Sequence, residues 1–169
     1  MRARRVAVAS IALAFVIAGC CPSFADAQRW TFNDVSADQL EDILDRAADA
    51  LSYERSVDGV GRPMWNVEDS ETGLRFKLYM YDDDESDPEA YESILARSGF
   101  GMPNPPTIWT INGFNQNKRF SRAFLNDDGD PIVEADLDLF AGVTEDVVLR
   151  FVMRFIVTLS EFAAYIGYL

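Results

Sequence analysis

The order of apolar and polar positions divides the chain into elements. After an apolar run over residues 6–18, Leu40, Ile43, Leu44, Ala47, Ala48 and Leu51 recur at helical spacing. Ser36 and Gln39 form a capping box ahead of them, so the pattern predicts a first helix over 36–51. Its other side carries Glu41, Asp42, Asp45 and Asp49, which suits a solvated face. The apolar period then shortens to that of strands. Strands are predicted over 53–57, 64–67 and 74–81, divided by a turn with Asp58, Gly59 and Gly61 and by another over 70–73. The last of them alternates without a break. Leu74, Phe76, Leu78 and Met80 take one face, and Arg75, Lys77, Tyr79 and Tyr81 the other. That cationic face suits carboxylates of the fold or an acidic partner.

Asp82-Asp83-Asp84-Glu85 follows, and its like charges predict a mobile loop. Residues 86–100 read locally as a helix, with Asp87 as cap, Pro88 in the first position, Tyr91, Ile94 and Leu95 as a stripe, and Gly99 as stop. A proline-punctuated loop over 101–106 leads to a short helix over 107–114, expected to offer Ile108, Trp109 and Ile111 to the core.

Residues 115–139 read NQNKRFSRAFLNDDGDPIVEADLDL, two alternating runs around Asp127-Asp128-Gly129-Asp130. Asp-Gly between such runs predicts a β-hairpin, because Gly takes a positive φ without steric cost. With Asp128-Gly129 as the tip, Phe120, Phe124, Val133 and Leu137 share one face, and Arg119 lies across from Asp138 on the other. Thr144 then caps a last helix with Glu145 and Asp146 in its first turn, running to about 169. Val148, Phe151, Val152, Phe155, Leu159, Phe162 and Ile166 form its core stripe. Leu149, Met153, Ile156, Val157 and Tyr165 spread beyond it, a second apolar face that calls for a partner or a second copy. Arg150, Arg154 and Glu161 interrupt the run and argue against a membrane span.

Composition narrows the chemistry. The 169 residues carry a net charge of −13, which disfavours nucleic acid and anionic lipid and favours basic or cationic partners. Histidine is absent, and the two cysteines are Cys20 and Cys21. Residues 1–27 resemble an export signal: Arg2, Arg4 and Arg5 precede an apolar run too short for a comfortable span. Two processing sites compete. Ala25-Asp26-Ala27 suits cleavage after Ala27 and a soluble periplasmic product. Ile17-Ala18-Gly19-Cys20 suits a lipoprotein anchored at Cys20, the one route to a membrane. Removing 1–27 deletes Arg2, Arg4, Arg5 and Asp26 from the 15 basic and 28 acidic residues, leaving 12 and 27, or −15. Cleavage after Ala27 also leaves no cysteine, so the product, a single domain over 28–169, has no disulfide, thiolate nucleophile, serine–histidine pair or His/Cys metal site.

The remaining motifs are weak. With Gly129 in the sixth position of an EF-hand, Phe124 stands first and Ala135 twelfth, where carboxylates are needed. Glu134, Asp136 and Asp138 share a strand face, and Arg119 and solvent account for them better than acid–base chemistry does. No motif asks for a cofactor or a metal.

Between residues 107 and 166 the chain resembles the YbjN-domain family of bacteria. The resemblance rests on Asn112, Phe114-Asn115, Lys118-Arg119-Phe120, Arg122-Ala123-Phe124-Leu125, Asp128-Gly129-Asp130-Pro131, Glu134, Asp136 and Gly142-Val143-Thr144, with Phe155 and Phe162 in the last helix. More loosely, residues 74–100 fit the family's two preceding strands, which implies that 93–98 is strand and not helix. There are departures. Phe114 stands where the family usually has Trp, and the cysteine pair that exported relatives often carry around 81–93 is missing. The resemblance implies an α+β fold similar to type III secretion chaperones: an antiparallel sheet with an N-terminal helix, a short middle helix and a long C-terminal helix packed on it. Those chaperones are homodimers that bind polypeptides without catalysis. The expectation is therefore a non-catalytic interaction, regulatory or chaperone-like module of the cell envelope, a homodimer with an envelope protein as partner. Candidate partner-binding residues are Asn112, Asn115, Arg119, Arg122, Met153 and Val157. The competing expectation is an enzyme working with carboxylates alone, or a domain binding a small ligand or cation.

Overall fold

The computed structural model describes residues 31–84 and 87–169. The expected export signal, with cleavage after Ala27 or lipidation at Cys20, lies outside them. The chain runs β1 (Val35–Ser36), α1 (Ala37–Asp45), β2 (Leu51–Val57), β3 (Pro63–Asp69), β4 (Arg75–Asp84), β5 (Asp87–Gly99), α2 (Ile108–Asn117), β6 (Arg122–Leu125), β7 (Pro131–Asp138) and α3 (Glu145–Tyr165). This is an α+β fold of three helices and a seven-stranded antiparallel sheet.

The capping box of α1 forms as the sequence predicts. Gln39 N donates to Ser36 Oγ at 3.2 Å, and Ser36 N donates to Gln39 Oε1 at 2.8 Å. The helix ends at Asp45, short of the expected 51. Leu51 is buried instead as the first residue of β2, opposite Asp69. The acidic side of α1 does more than face solvent. Glu41 accepts from Trp65 Nε1 at 3.0 Å, and Asp45 accepts from the Tyr53 hydroxyl at 2.5 Å. These bonds fasten α1 to β3 and β2.

The sheet order is β2-β3-β4-β5-β7-β6, with β1 paired to β5. The 13 residues of β5 sit at its centre. It is bordered by β4 on one side and by β7 and then β1 on the other. Two local expectations fail here. The helical signals of 87–92 give way to strand, and Asp82, Asp83 and Asp84 belong to β4 and not to a mobile loop. Pairing on both sides of β5 outweighs a cap, a proline and a stripe read from one stretch of chain. The strand over 93–98 implied by the family resemblance is present.

All three helices contribute to one core on one face of the sheet. Leu40, Ile43 and Leu44 of α1, Ile111 and Phe114 of α2, and Val148, Val152, Phe155, Leu159 and Phe162 of α3 pack with Trp65, Phe76, Leu78, Met80, Ile94 and Val133. Burying each such side chain contributes about 1.5–3 kcal/mol. An aromatic knot closes one end: Phe162 lies 4.8 Å from Phe114 and 5.6 Å from Phe100, centroid to centroid. Helix α2 offers less to the core than expected. Ile108 and Trp109 are 49% and 80% exposed, while Ile111 and Phe114 are buried.

The hairpin forms with a shifted register. Arg122 pairs with Glu134, Ala123 with Val133, Phe124 with Ile132 and Leu125 with Pro131. The connection is therefore odd in length, with Asp127, Asp128 and Gly129 between Asn126 and Asp130, and Gly129 takes φ +84°. Asn126 organises it, its Oδ1 accepting from Asp128 N at 3.0 Å and Asp130 N at 2.8 Å. A shift of one residue exchanges faces. Phe124 leaves the side of Val133, and Arg119 does not meet Asp138. Glu54, Asn66, Lys77, Arg97, Glu134 and Arg122 instead fall in line across the face opposite the helices.

Thr144 stands at the start of α3 without a side-chain capping bond. Arg46 meets the first turn there, at 3.1 Å from Glu145 and 2.7 Å from Asp146. Among the described residues, no helix is long and apolar enough to cross a membrane.

Candidate functional site

Strand β6 is half the length of β7, and this mismatch creates the site. Their pairing stops at Arg122 and Glu134, because the chain turns away at Phe120. Phe120 has φ +65°, the one non-glycine residue with positive φ among those described. That backbone region is uncommon and costly for a bulky side chain. Phe120 is 66% exposed, whereas Val133, expected on the same face of the hairpin, is buried. Beyond the turn, β7 continues with β5 on one side and no strand on the other.

A groove of about 400 Å³ lies along this free edge. One wall is Glu134, Ala135, Asp136 and Leu137. Consecutive strand residues point to opposite faces, so four in a row in one wall expose the strand's edge. The other wall is α3, through Val147, Arg150, Phe151, Arg154, Phe155 and Thr158. These recur at intervals of three and four, one stripe of the helix. Phe120, Ser121 and Arg122 close the end. The Ser121 hydroxyl oxygen is buried and has no hydrogen-bond partner among the described residues.

Charge is arranged around this groove. Glu134 is 4% exposed and is held from both neighbouring strands, by Arg122 at 2.5 Å and by Arg97 at 3.7 Å. The hydrogen bond to Glu134 holds the Arg122 guanidinium above its ordinary pKa. Arg119 and Arg154 stack on Phe120, their guanidinium carbons 5.0 and 4.7 Å from the ring centroid. Arg119, Arg150 and Arg154 form no ion pair among the described residues. In a chain of net charge −13, three unneutralised guanidinium groups in one place stand out from the rest of the surface.

The sequence-predicted residues are placed unequally. Arg122 lines the groove and Arg119 stands at its rim. Asn115 serves the fold: its amide bonds both ways with Ala123, at 2.9 and 2.8 Å, and so extends β6 toward α2. Asn112 is exposed on α2. Met153 packs against the core, while Val157, three residues beyond Arg154, is 58% exposed. Sequence reasoning missed Phe120 as a surface residue and Arg150 with Arg154 as a pair. The signal for the pair was available, since two arginines a turn apart interrupt an otherwise apolar helix. On the open sheet face Lys77 and Arg97 stand directly opposite each other in a second, broader depression. The cationic face of β4 is partly used within the fold, with Arg75 2.7 Å from Glu68. Among the described residues, no three acidic side chains gather as a metal site would require.

The profile of the YbjN family, described as "Putative bacterial sensory transduction regulator", matches residues 36–167. The chain belongs to the YbjN family. The match spans every helix and every strand from β2 to β7, and it includes the whole groove. No curated protein and no solved structure matches the chain. Phe120, Arg122, Glu134 and Asp136, four residues that carry the YbjN resemblance, all line the groove.

Proposed function

We propose that this YbjN-family chain is a non-catalytic regulatory module of the bacterial cell envelope that works by holding a protein partner, and that it does so as a homodimer. The groove between α3 and the free edge of β7 carries this reading. It is open, walled by Leu137, Val147 and Phe151, and rimmed by arginines for which the described residues supply no ion pair. Exposed apolar surface combined with unpaired charge is the composition of a recognition site. Export is supported by the basic start and the apolar run of residues 6–18. A soluble periplasmic product follows from cleavage after Ala27, and a lipid-anchored one from processing at Cys20. Dimerisation is supported by Val157 and Tyr165, 58% and 47% exposed on α3.

The alternative, acid–base chemistry or cation binding by carboxylates, would fall to Glu134 and Asp136. Both already face Arg122, at 2.5 and 3.7 Å, which gives that alternative less support.

The test is fractionation and cross-linking of cells that express the full chain, in parallel with Phe120→Ala and Arg154→Glu variants. The expected result is an envelope fraction in which one partner is captured by the wild type and lost with both variants. Capture unaffected by either variant would overturn the assignment to this groove. Turnover of substrates in a hydrolase panel would overturn the non-catalytic reading.

A further inference from the structure

We infer that the groove takes an extended, acidic segment of a partner polypeptide, which pairs with the free edge of β7 as an additional strand. This rests on the proposed function and names the chemistry of the partner. Three features point to the same occupant. Four consecutive residues of β7 line the groove, and beyond Glu134, where β6 ends, this wall is strand edge with backbone groups open to pairing. The edge available beyond the Arg122–Glu134 pair, over 135–138, is about 13 Å long. The facing stripe of α3 from Val147 to Thr158 is about 16 Å long. The slot is thus as long as a short strand, with helix along one side and sheet along the other.

The side chains decide what such a strand carries. Leu137, Val147 and Phe151 suit apolar residues, and Arg119, Arg150 and Arg154 at the mouth suit carboxylates. A strand alternates its side chains, so a segment alternating acidic and apolar residues satisfies both. Every other pairing in the sheet is antiparallel, and an antiparallel newcomer continues the line of β6 where Phe120 breaks it. Its backbone and side chains also bring polar atoms next to Ser121, whose hydroxyl lacks a partner among the described residues.

The test uses the full chain and a fluorescein-labelled peptide, Val-Glu-Val-Glu-Val-Glu-Val, followed by anisotropy. Three probes accompany it: the same peptide with Lys for Glu, the same peptide N-methylated on alternate amides, and dodecanoate. The expected result is binding of the acidic peptide that weakens with salt and falls about tenfold or more in Arg150→Glu and Arg154→Glu variants. Amide exchange over residues 135–138 slows in the complex, and the Lys and N-methylated peptides fail to bind. Equal binding of the Lys peptide overturns the charge assignment, and equal binding of the N-methylated peptide overturns strand pairing. Binding of dodecanoate alone makes this a site for a small anionic amphiphile, which overturns the inference. A peptide that does not bind, while cells still yield a partner captured through the groove, overturns this inference and leaves the proposed function standing.

Discussion

The Arg154 guanidinium sits 4.7 Å from the centroid of the Phe120 ring, and this contact ties the middle of α3 to the point where β6 begins. Phe120 holds φ +65° to be there. A bulky residue in that conformation costs about 1–2 kcal/mol, and its two exposed cation–π contacts, with Arg119 and Arg154, return about 0.5–1 kcal/mol each. The position is therefore close to neutral for stability, and the exposed ring needs another explanation.

Phe120→Gly relieves the backbone and removes the ring. Stability should stay within about 1 kcal/mol of wild type. Partner capture through the groove should be lost. Phe114→Ala is the contrast, since Phe114 is fully buried, and it should cost about 3–5 kcal/mol. Denaturant unfolding of the two variants checks this. A large loss of stability in Phe120→Gly would mean that the ring holds the fold and not a partner.

Glu134 is the electrostatic pivot of the open sheet face. In Glu134→Gln, Arg97 and Arg122 lose their shared carboxylate, but they are 41% and 64% exposed and can turn to water. The expected cost is about 1–2 kcal/mol, below that of breaking a fully buried pair. Combining it with Arg122→Gln should cost less than the sum of the two single changes, as expected for groups in direct contact. Additive costs in urea unfolding would contradict the pairing.

Tyr53 gives the pH dependence its sign. Burial, and then the hydrogen bond to Asp45, pushes its hydroxyl up to about 12 from 10.0. The folded state holds this proton more tightly than the unfolded state does. The resulting stability is complete below pH 10 and is lost as pH rises toward about 12. Tyr53→Phe should flatten that alkaline slope and cost about 1 kcal/mol at neutral pH. Thermal midpoints measured against pH decide it, and an unchanged slope would contradict the assignment.

The second apolar face of α3 divides into two parts. Val157→Glu should dissociate a homodimer and leave stability within about 0.5 kcal/mol. Met153→Glu should cost about 1–3 kcal/mol, because Met153 packs on the core. Light scattering together with thermal unfolding separates the two outcomes. A Val157→Glu protein of unchanged mass would remove that face from the interface.

The features legible in the sequence were those set by neighbouring residues. Ser36 and Gln39 announce the start of α1, and the alternation of Leu74, Phe76, Leu78 and Met80 announces a strand with one buried face. Tyr91, Ile94 and Leu95 misled, because helical spacing over five residues says nothing of the strands that flank β5 on both sides. In the hairpin, Asp128-Gly129 marks a turn but not its length. Asn126, whose side chain closes the longer connection, decides the register. The groove was least legible of all. It exists because β6 stops short of β7, and its arginines come from α3 and the β6 entry, far apart along the chain.

The most direct measurement is photo-cross-linking in living cells from a reactive side chain placed at Thr158, on the α3 wall of the groove, with the same group at Val57 as control. Val57 ends β2 at the opposite edge of the sheet and is 64% exposed. A discrete adduct from position 158, absent from position 57 and abolished by Arg150→Glu, is the predicted result. Equal adducts from both positions, or none from the groove, would contradict the account.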